Sequence, residues 1–217
     1  MTKTRFILPA GILVLSLACT PGFAATVTFF DDLAAPSNGV QGNDSGFIGL
    51  AQRFTATANA PIDYLWSSYI GGLGWYSSTA TGPFQMSVVG DSIDNITSVT
   101  AMMSTDTGPG PSSLSLAIYT DLFANDPIVG PQFQPGVEVG TLSANASLLT
   151  TSLTGLLFTG PEIDVTPGAH YWVVLNPDAN APDGEVYWSS TDVPEPGTFA
   201  LMTGMIGLLG IARRFWR

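Results

Sequence analysis

The residues whose types could do chemistry are few: one histidine, three glutamates, a loop of carboxylates and amides, and a cluster of aromatic rings. His170 is the sole histidine, so no multi-histidine metal site can form within one chain. A Ser-His-Asp triad would need it together with a serine in a strained, exposed turn, and no Gly-x-Ser-x-Gly occurs. Glu138, Glu162 and Glu185 are the only glutamates between residues 26 and 192. Two of them flanking a glycosidic bond would make a glycoside hydrolase, but each follows a turn-like Pro or Gly, and nothing in the spacing makes a pair converge. Asn176, Asp178, Asn180 and Asp183, with Glu185 beyond, alternate oxygen-bearing side chains as a calcium loop does. They lack the Asp-x-Asp-x-Asp-Gly spacing of an EF-hand, and Asp and Asn also populate loops for turn reasons alone. Trp66, Tyr69, Trp75 and Tyr76 lie in a Gly- and Ser-rich stretch. Exposed, they would stack on sugar rings as a carbohydrate-binding module does; buried, they are core.

The elements that must position these groups read as strands. Apolar or alternating segments of strand length fall at 26–30, 50–57, 84–89, 98–103, 114–120, 138–143, 147–151, 170–175 and 185–190. Turn chemistry separates them: Ser37-Asn38-Gly39, Gly82-Pro83, Gly108-Pro109-Gly110-Pro111, Gly130-Pro131, Gln134-Pro135-Gly136, Thr166-Pro167-Gly168 and Pro182-Asp183-Gly184. No stretch holds a helical period; the nearest, 63–73, is broken by Gly71-Gly72. In the strand at 170–175, alternation puts Tyr171 and Val173 on one face and His170, Trp172 and Val174 on the other. His170 at its start reads as a strand-edge residue with a local hydrogen bond. The pattern predicts an all-β domain, an antiparallel β-sandwich of jelly-roll type. At this length it buries roughly two-thirds of its unfolded surface.

Charge narrows the partners. Between residues 26 and 192 stand sixteen carboxylates and one cation, Arg53, a formal charge of −15. Such a surface repels phosphate backbones and anionic lipid, which argues against nucleic acid as a partner. The only cysteine is Cys19, so the domain has no disulfide and no thiolate chemistry. Nothing in the chain calls for a cofactor beyond the calcium that residues 176–183 could hold.

Both ends read as addresses. Residues 1–25 have a basic start with Lys3 and Arg5, an apolar run over 6–18, and the small residues Ala24 and Ala25: the plan of a secretory signal peptide, cleaved after one of those alanines. Residues 193–217 hold Val193, Pro194, Glu195 and Pro196, then an uncharged run over 199–212, then Arg213, Arg214 and Arg217. Fourteen apolar residues fall short of the roughly 20 that cross a bilayer unaided; residues 196–198 lengthen the run to seventeen. The three arginines orient the end toward the cytoplasm by the positive-inside rule. Pro-Glu-Pro cannot be helical through its interior, so it stays extended just outside the membrane.

This three-part end resembles the PEP-CTERM sorting signal of exosortase substrates, in Pro194-Glu195-Pro196, the apolar run and the arginine cluster. The resemblance implies Sec-type export, then recognition by a membrane-embedded exosortase that removes the tail, and a final place at the surface or in the extracellular matrix of a Gram-negative bacterium, associated with exopolysaccharide. A second resemblance, to the choice-of-anchor surface domains, rests on Ala51-Gln52-Arg53-Phe54-Thr55, on the run from Leu114 to Asp121, on Val139-Gly140-Thr141-Leu142 and on the run from Thr166 to Val174. It implies a β-sandwich at the cell surface and no reaction. The stretch 63–81 stands out as an atypical insertion. The expectation is an exported, non-enzymatic surface or biofilm-matrix protein in three parts: 1–25, 26–192 and 193–217. A carbohydrate-binding module and a secreted glycoside hydrolase are the alternatives.

Overall fold

The computed structural model describes residues 26–35, 37–43, 48–70, 74–78, 82–106, 111, 113–126, 130–175 and 186–191. Among them run twelve strands: β1 (Val27–Asp31), β2 (Ser37–Asn43), β3 (Ile48–Thr55), β4 (Trp66–Ile70), β5 (Gly74–Ser78), β6 (Met86–Gly90), β7 (Asn95–Thr105), β8 (Leu114–Asp126), β9 (Gly130–Ala144), β10 (Thr154–Asp164), β11 (His170–Leu175) and β12 (Val186–Thr191). One turn of 3₁₀ helix, Ala146–Leu148, is the only helix described. Every strand pairing is antiparallel, so the described residues are mostly antiparallel β-sheet with almost no helix.

The strands form one path, β1-β6-β7-β10-β9-β8-β11-β3-β4-β5, with β12 added to β7 and β2 to β12. The path bends back on itself. Phe29 of β1 and Phe54 of β3 lie seven steps apart along it, yet their ring centroids are 6.5 Å apart. The Asn59 amide donates to the Thr28 carbonyl at 2.8 Å, tying the loop after β3 to β1. The hinge of this curl is the β9/β10 junction, where only Thr159 and Ser143 pair.

Inside the curl, one cluster gathers buried side chains from nine strands, among them Phe29, Phe54, Met86, Val99, Leu116, Leu142, Phe158, Val173 and Trp188. Phe84 stacks on Trp188 at 4.8 Å and meets Trp66 edge-on at 5.6 Å. The Trp188 indole donates to the Gln85 carbonyl at 3.0 Å, so its polar edge is satisfied in the core. β11 lies between β3 and β8 and is buried on both faces, by the inner core on one and by Leu65, Trp75 and Tyr119 on the other. Tyr171, Val173 and Leu175 point inward, while Trp172 and Val174 join Ala51 in a second, outer cluster.

Several local expectations give way to the fold. Residues 147–151 are not a strand: Asn145 Oδ1 accepts from the Ser147 amide at 3.1 Å and the Ser147 hydroxyl at 2.6 Å, and this side-chain cap starts the 3₁₀ turn instead. Ser37-Asn38-Gly39 is not a turn but the start of β2, held by pairing with β12. The stretch 63–81, read as an atypical insertion, contains the hairpin β4–β5. Gly130-Pro131 and Gln134-Pro135-Gly136 lie inside β9, whose other edge meets β10 at one pair, so the missing proline donors break no ladder there. β10, hidden by Gly155, Gly160 and Pro161, absorbs the last two in a register shift between Thr159 and Ile163. Residues 1–25 and 193–217, expected to be the signal peptide and sorting segment, lie outside the described residues. No helix among the described residues is long and apolar enough to cross a membrane.

Candidate functional site

The outer cluster is built on a cross-strand row. Trp172 of β11 stands opposite Arg53 of β3 on one side and Tyr119 of β8 on the other. Arg53, the one cation between residues 26 and 192, pairs with two carboxylates through its terminal nitrogens, while its Nε is buried without a hydrogen-bond partner. Its Nη2 donates to Asp121 Oδ2 at 2.7 Å, and Nη1 lies 3.5 Å from Asp63 Oδ2. Its guanidinium sits 4.5 Å from the centre of the Phe133 ring. Asp121 in turn accepts from the Trp172 indole at 2.7 Å. The side chains of Arg53 and Asp121 are only 11% and 14% exposed, so the attraction is screened far less than on a surface. Alternation along β8 puts Asp121 on the same outer face as Tyr119, and the two register shifts in the β8–β9 ladder leave their extra residues on β9.

Buried Gln52 holds the loop that carries Asp63. Its Nε2 donates to the carbonyls of Arg53, Asp63 and Leu65, and its Oε1 accepts from the Phe84 amide at 2.9 Å. One amide side chain thereby joins β3, the loop and the segment before β6.

Above this row the far half of the β8–β9 hairpin lies against β5. Gln132 Oε1 accepts from the Ser77 amide at 3.0 Å, while Gln132 Nε2 donates to the Trp75 carbonyl. The Ser77 hydroxyl donates to the Phe133 carbonyl. Gln132 thus does for the β5 edge what a further strand would do. Phe123 and Phe133 are directly paired across the hairpin, with centroids 5.0 Å apart and the rings edge to face. Phe123 is 61% exposed and Phe133 39%.

The four aromatic residues marked in the sequence divide between the two faces of β4–β5. Tyr69 pairs with Trp75, and Ser68 with Tyr76. Side chains alternate along a strand, so Tyr69 and Trp75 share the outer face while Trp66 and Tyr76 face the other way. The Tyr69 and Trp75 rings lie 5.5 Å apart, and Trp75 packs on the outer cluster. Trp66 packs on the inner core through Phe84, and its indole nitrogen is buried without a partner. The four rings therefore do not form one platform.

The other sequence candidates stay apart. The His170 Nδ1 is 3.0 Å from the Thr55 hydroxyl at the exposed start of β11. Glu138 accepts from the Tyr119 hydroxyl at 3.1 Å and from the Thr141 hydroxyl at 2.9 Å. Glu162 is exposed on β10, the next strand in the path. Among the described residues no three His, Cys, Asp or Glu side chains gather as a metal site requires. Asn176, Asp178, Asn180, Asp183 and Glu185 lie outside the described residues, as do Val193, Pro194, Glu195, Pro196, Arg213, Arg214 and Arg217.

Residue-by-residue reading missed the outer row and one buried acid. The signal for the row was present: a domain's single cation placed inside a strand seldom stands alone. Asp32, just past β1, is buried. Its Oδ1 accepts from the Met86 amide at 2.7 Å and its Oδ2 has no partner. Burial pushes its carboxyl up to about 7, neighbouring Asp31 adds to this, and the Met86 hydrogen bond opposes it.

A β-sheet domain ahead of an apolar C-terminal segment with a basic end fits the plan of an exported protein, and comparison supports export. Residues 192–217 match the PEP-CTERM protein-sorting motif. The motif supports an exported protein that is sorted by an exosortase and passes through a membrane-anchored intermediate. No curated protein and no solved structure matches the chain.

Proposed function

We propose that this chain is a non-enzymatic surface or extracellular-matrix protein of a Gram-negative bacterium, processed by an exosortase at Pro194-Glu195-Pro196 and associated with exopolysaccharide. The observation that carries the reading is the sorting motif over 192–217, in a chain that opens with the pattern of a secretory signal. Pro194, Glu195 and Pro196 are the recognition element, and Arg213, Arg214 and Arg217 hold the tail in the cytoplasm until cleavage. The β-domain is the cargo, and its curled sheet is consistent with a jelly-roll sandwich of the choice-of-anchor kind. The engagement of Glu138 with Tyr119 and Thr141 fits a structural role better than that of a catalytic acid. The reading needs no cofactor; calcium at Asn176, Asp178, Asn180 and Asp183 is the one metal that the sequence offers.

Intact mass of the protein recovered from its host tests this directly. The wild type is expected to end near Pro194–Pro196. Glu195→Ala and a chain lacking 213–217 are expected to keep their tails and remain in the membrane. A wild-type protein that retains Arg217 and stays embedded would make the segment an ordinary anchor.

A further inference from the structure

Resting on the proposed association with polysaccharide, we propose that the outer face of the sheet is a binding platform for an uncharged polysaccharide, formed by Tyr69, Trp75, Phe133 and Phe123. The platform joins two cross-strand ring pairs, Tyr69–Trp75 at 5.5 Å and Phe123–Phe133 at 5.0 Å. The pairs come from hairpins distant in sequence, and the bonds from Gln132 to Trp75 and Ser77, and from Ser77 to Phe133, bring them side by side.

One exposed phenylalanine would be ordinary, but Phe123 and Phe133, 61% and 39% exposed, stand together as a contiguous apolar patch of the kind that marks a ligand surface. Phe133 is also held in place from below, and Phe123 meets it edge to face. The Arg53 guanidinium lies 4.5 Å from the Phe133 ring and is itself locked by Asp121, Asp63 and, through Asp121, the Trp172 indole. Rings fixed in this way lose little freedom on binding. The face of an aromatic ring carries negative charge density, which suits the weakly positive C–H face of a sugar.

Charge selects among the occupants such a surface could take. With −15 on residues 26–192 and Arg53 neutralised by two carboxylates, an anionic polymer, an anionic bilayer and a second copy of the domain are all repelled. An uncharged glycan approaches through that field without opposition, and only its apolar faces need to be matched.

Affinity electrophoresis of the processed protein from its host tests the platform. The gels carry hydroxyethyl cellulose, galactomannan or dextran as neutral probes, or polygalacturonate as an anionic one. At least one neutral polymer is expected to retard the wild type, and polygalacturonate is not. Phe123→Ala, at an exposed position that leaves the core untouched, should weaken that retardation about fivefold, the size of one lost ring contact. Trp75→Ala should weaken it similarly, and Phe123→Tyr should preserve it. The proposal is overturned by no retardation in any neutral gel, by retardation only in polygalacturonate, or by variants that bind as the wild type does. It is equally overturned if Phe123→Ala instead abolishes self-association in sedimentation, or binding to phosphatidylglycerol vesicles. Intact mass reads processing separately, so a failed platform leaves the sorting reading standing, and a retained tail fails that reading whatever the gels show.

Discussion

The two faces of β11 meet environments of opposite kinds. Inward, Tyr171, Val173 and Leu175 enter a cluster of Phe, Leu, Ile, Val and Met side chains in which shape and volume matter most. Outward, Trp172 joins a row in which an indole and one guanidinium pair with two carboxylates, with Arg53 Nε left unpartnered. The inner region would accept many apolar combinations of similar volume. The outer one depends on particular donors and acceptors, because a buried charge that loses its partner is costly. Each region also holds an exception to its own rule. The inner side carries Asp32, an acid with no cation, and the outer side carries Phe123, a large apolar ring in water.

Substitutions can test how deep this contrast runs. Trp188→Ala should have the largest effect, a loss of about 4 kcal/mol in chemical denaturation, because it leaves a cavity beside Phe84 and frees the Gln85 carbonyl. A loss below about 1 kcal/mol would mean that the two faces contribute differently from the description above. Arg53→Ala should cost about 3 kcal/mol by stranding Asp121 and Asp63. Adding Asp121→Asn and Asp63→Asn to an Arg53→Leu chain should recover much of that loss. No recovery would show that packing under Phe133, rather than charge, is what Arg53 supplies.

Asp32 gives the smallest effect of the three and the one with a pH signature. Its folded carboxyl titrates at about 7, above the ordinary 3.8, so the folded state holds the proton more tightly than the unfolded state does. Its contribution is therefore full below about pH 3.8 and lost progressively until the pH passes about 7. Asp32→Asn should remove that part of the slope and raise stability at pH 8 by about 2 kcal/mol, less than the roughly 4 kcal/mol the full shift carries, because the Asn amide would be buried unpartnered where Oδ2 stands. Thermal unfolding of both proteins across pH 4 to 8 checks it, with parallel curves as the contrary result.

How much could be read in advance depended on whether the cause was local. The strands at 114–120 and 170–175 were legible because apolar side chains alternate in the first and run without a break in the second. β2, β4, β5 and β10 were not, since Gly, Ser, Asn and Pro mark turns in isolation and become strands only where a neighbour supplies the ladder. Two extensions failed for the same reason: β8 and β9 run on through residues that resemble a loop because each is the other's partner. For the candidate site, Tyr69 and Trp75 were marked in the sequence, whereas Phe123 and Phe133 were passed over. Their pairing and exposure arise from the bend of one hairpin onto another.

By itself the sequence determined the all-β class, the acidity of the domain, the absence of thiol chemistry and the sorting segment at 192–217. Each of these is a property of composition or of consecutive residues. Only the tertiary structure decided which face each ring occupies, that the lone cation is consumed by Asp121 and Asp63, and that Asp32 is buried without a counter-ion. These depend on strand register and on the curl of the sheet, where residues dozens of positions apart come within a few ångströms, and no local pattern encodes that meeting.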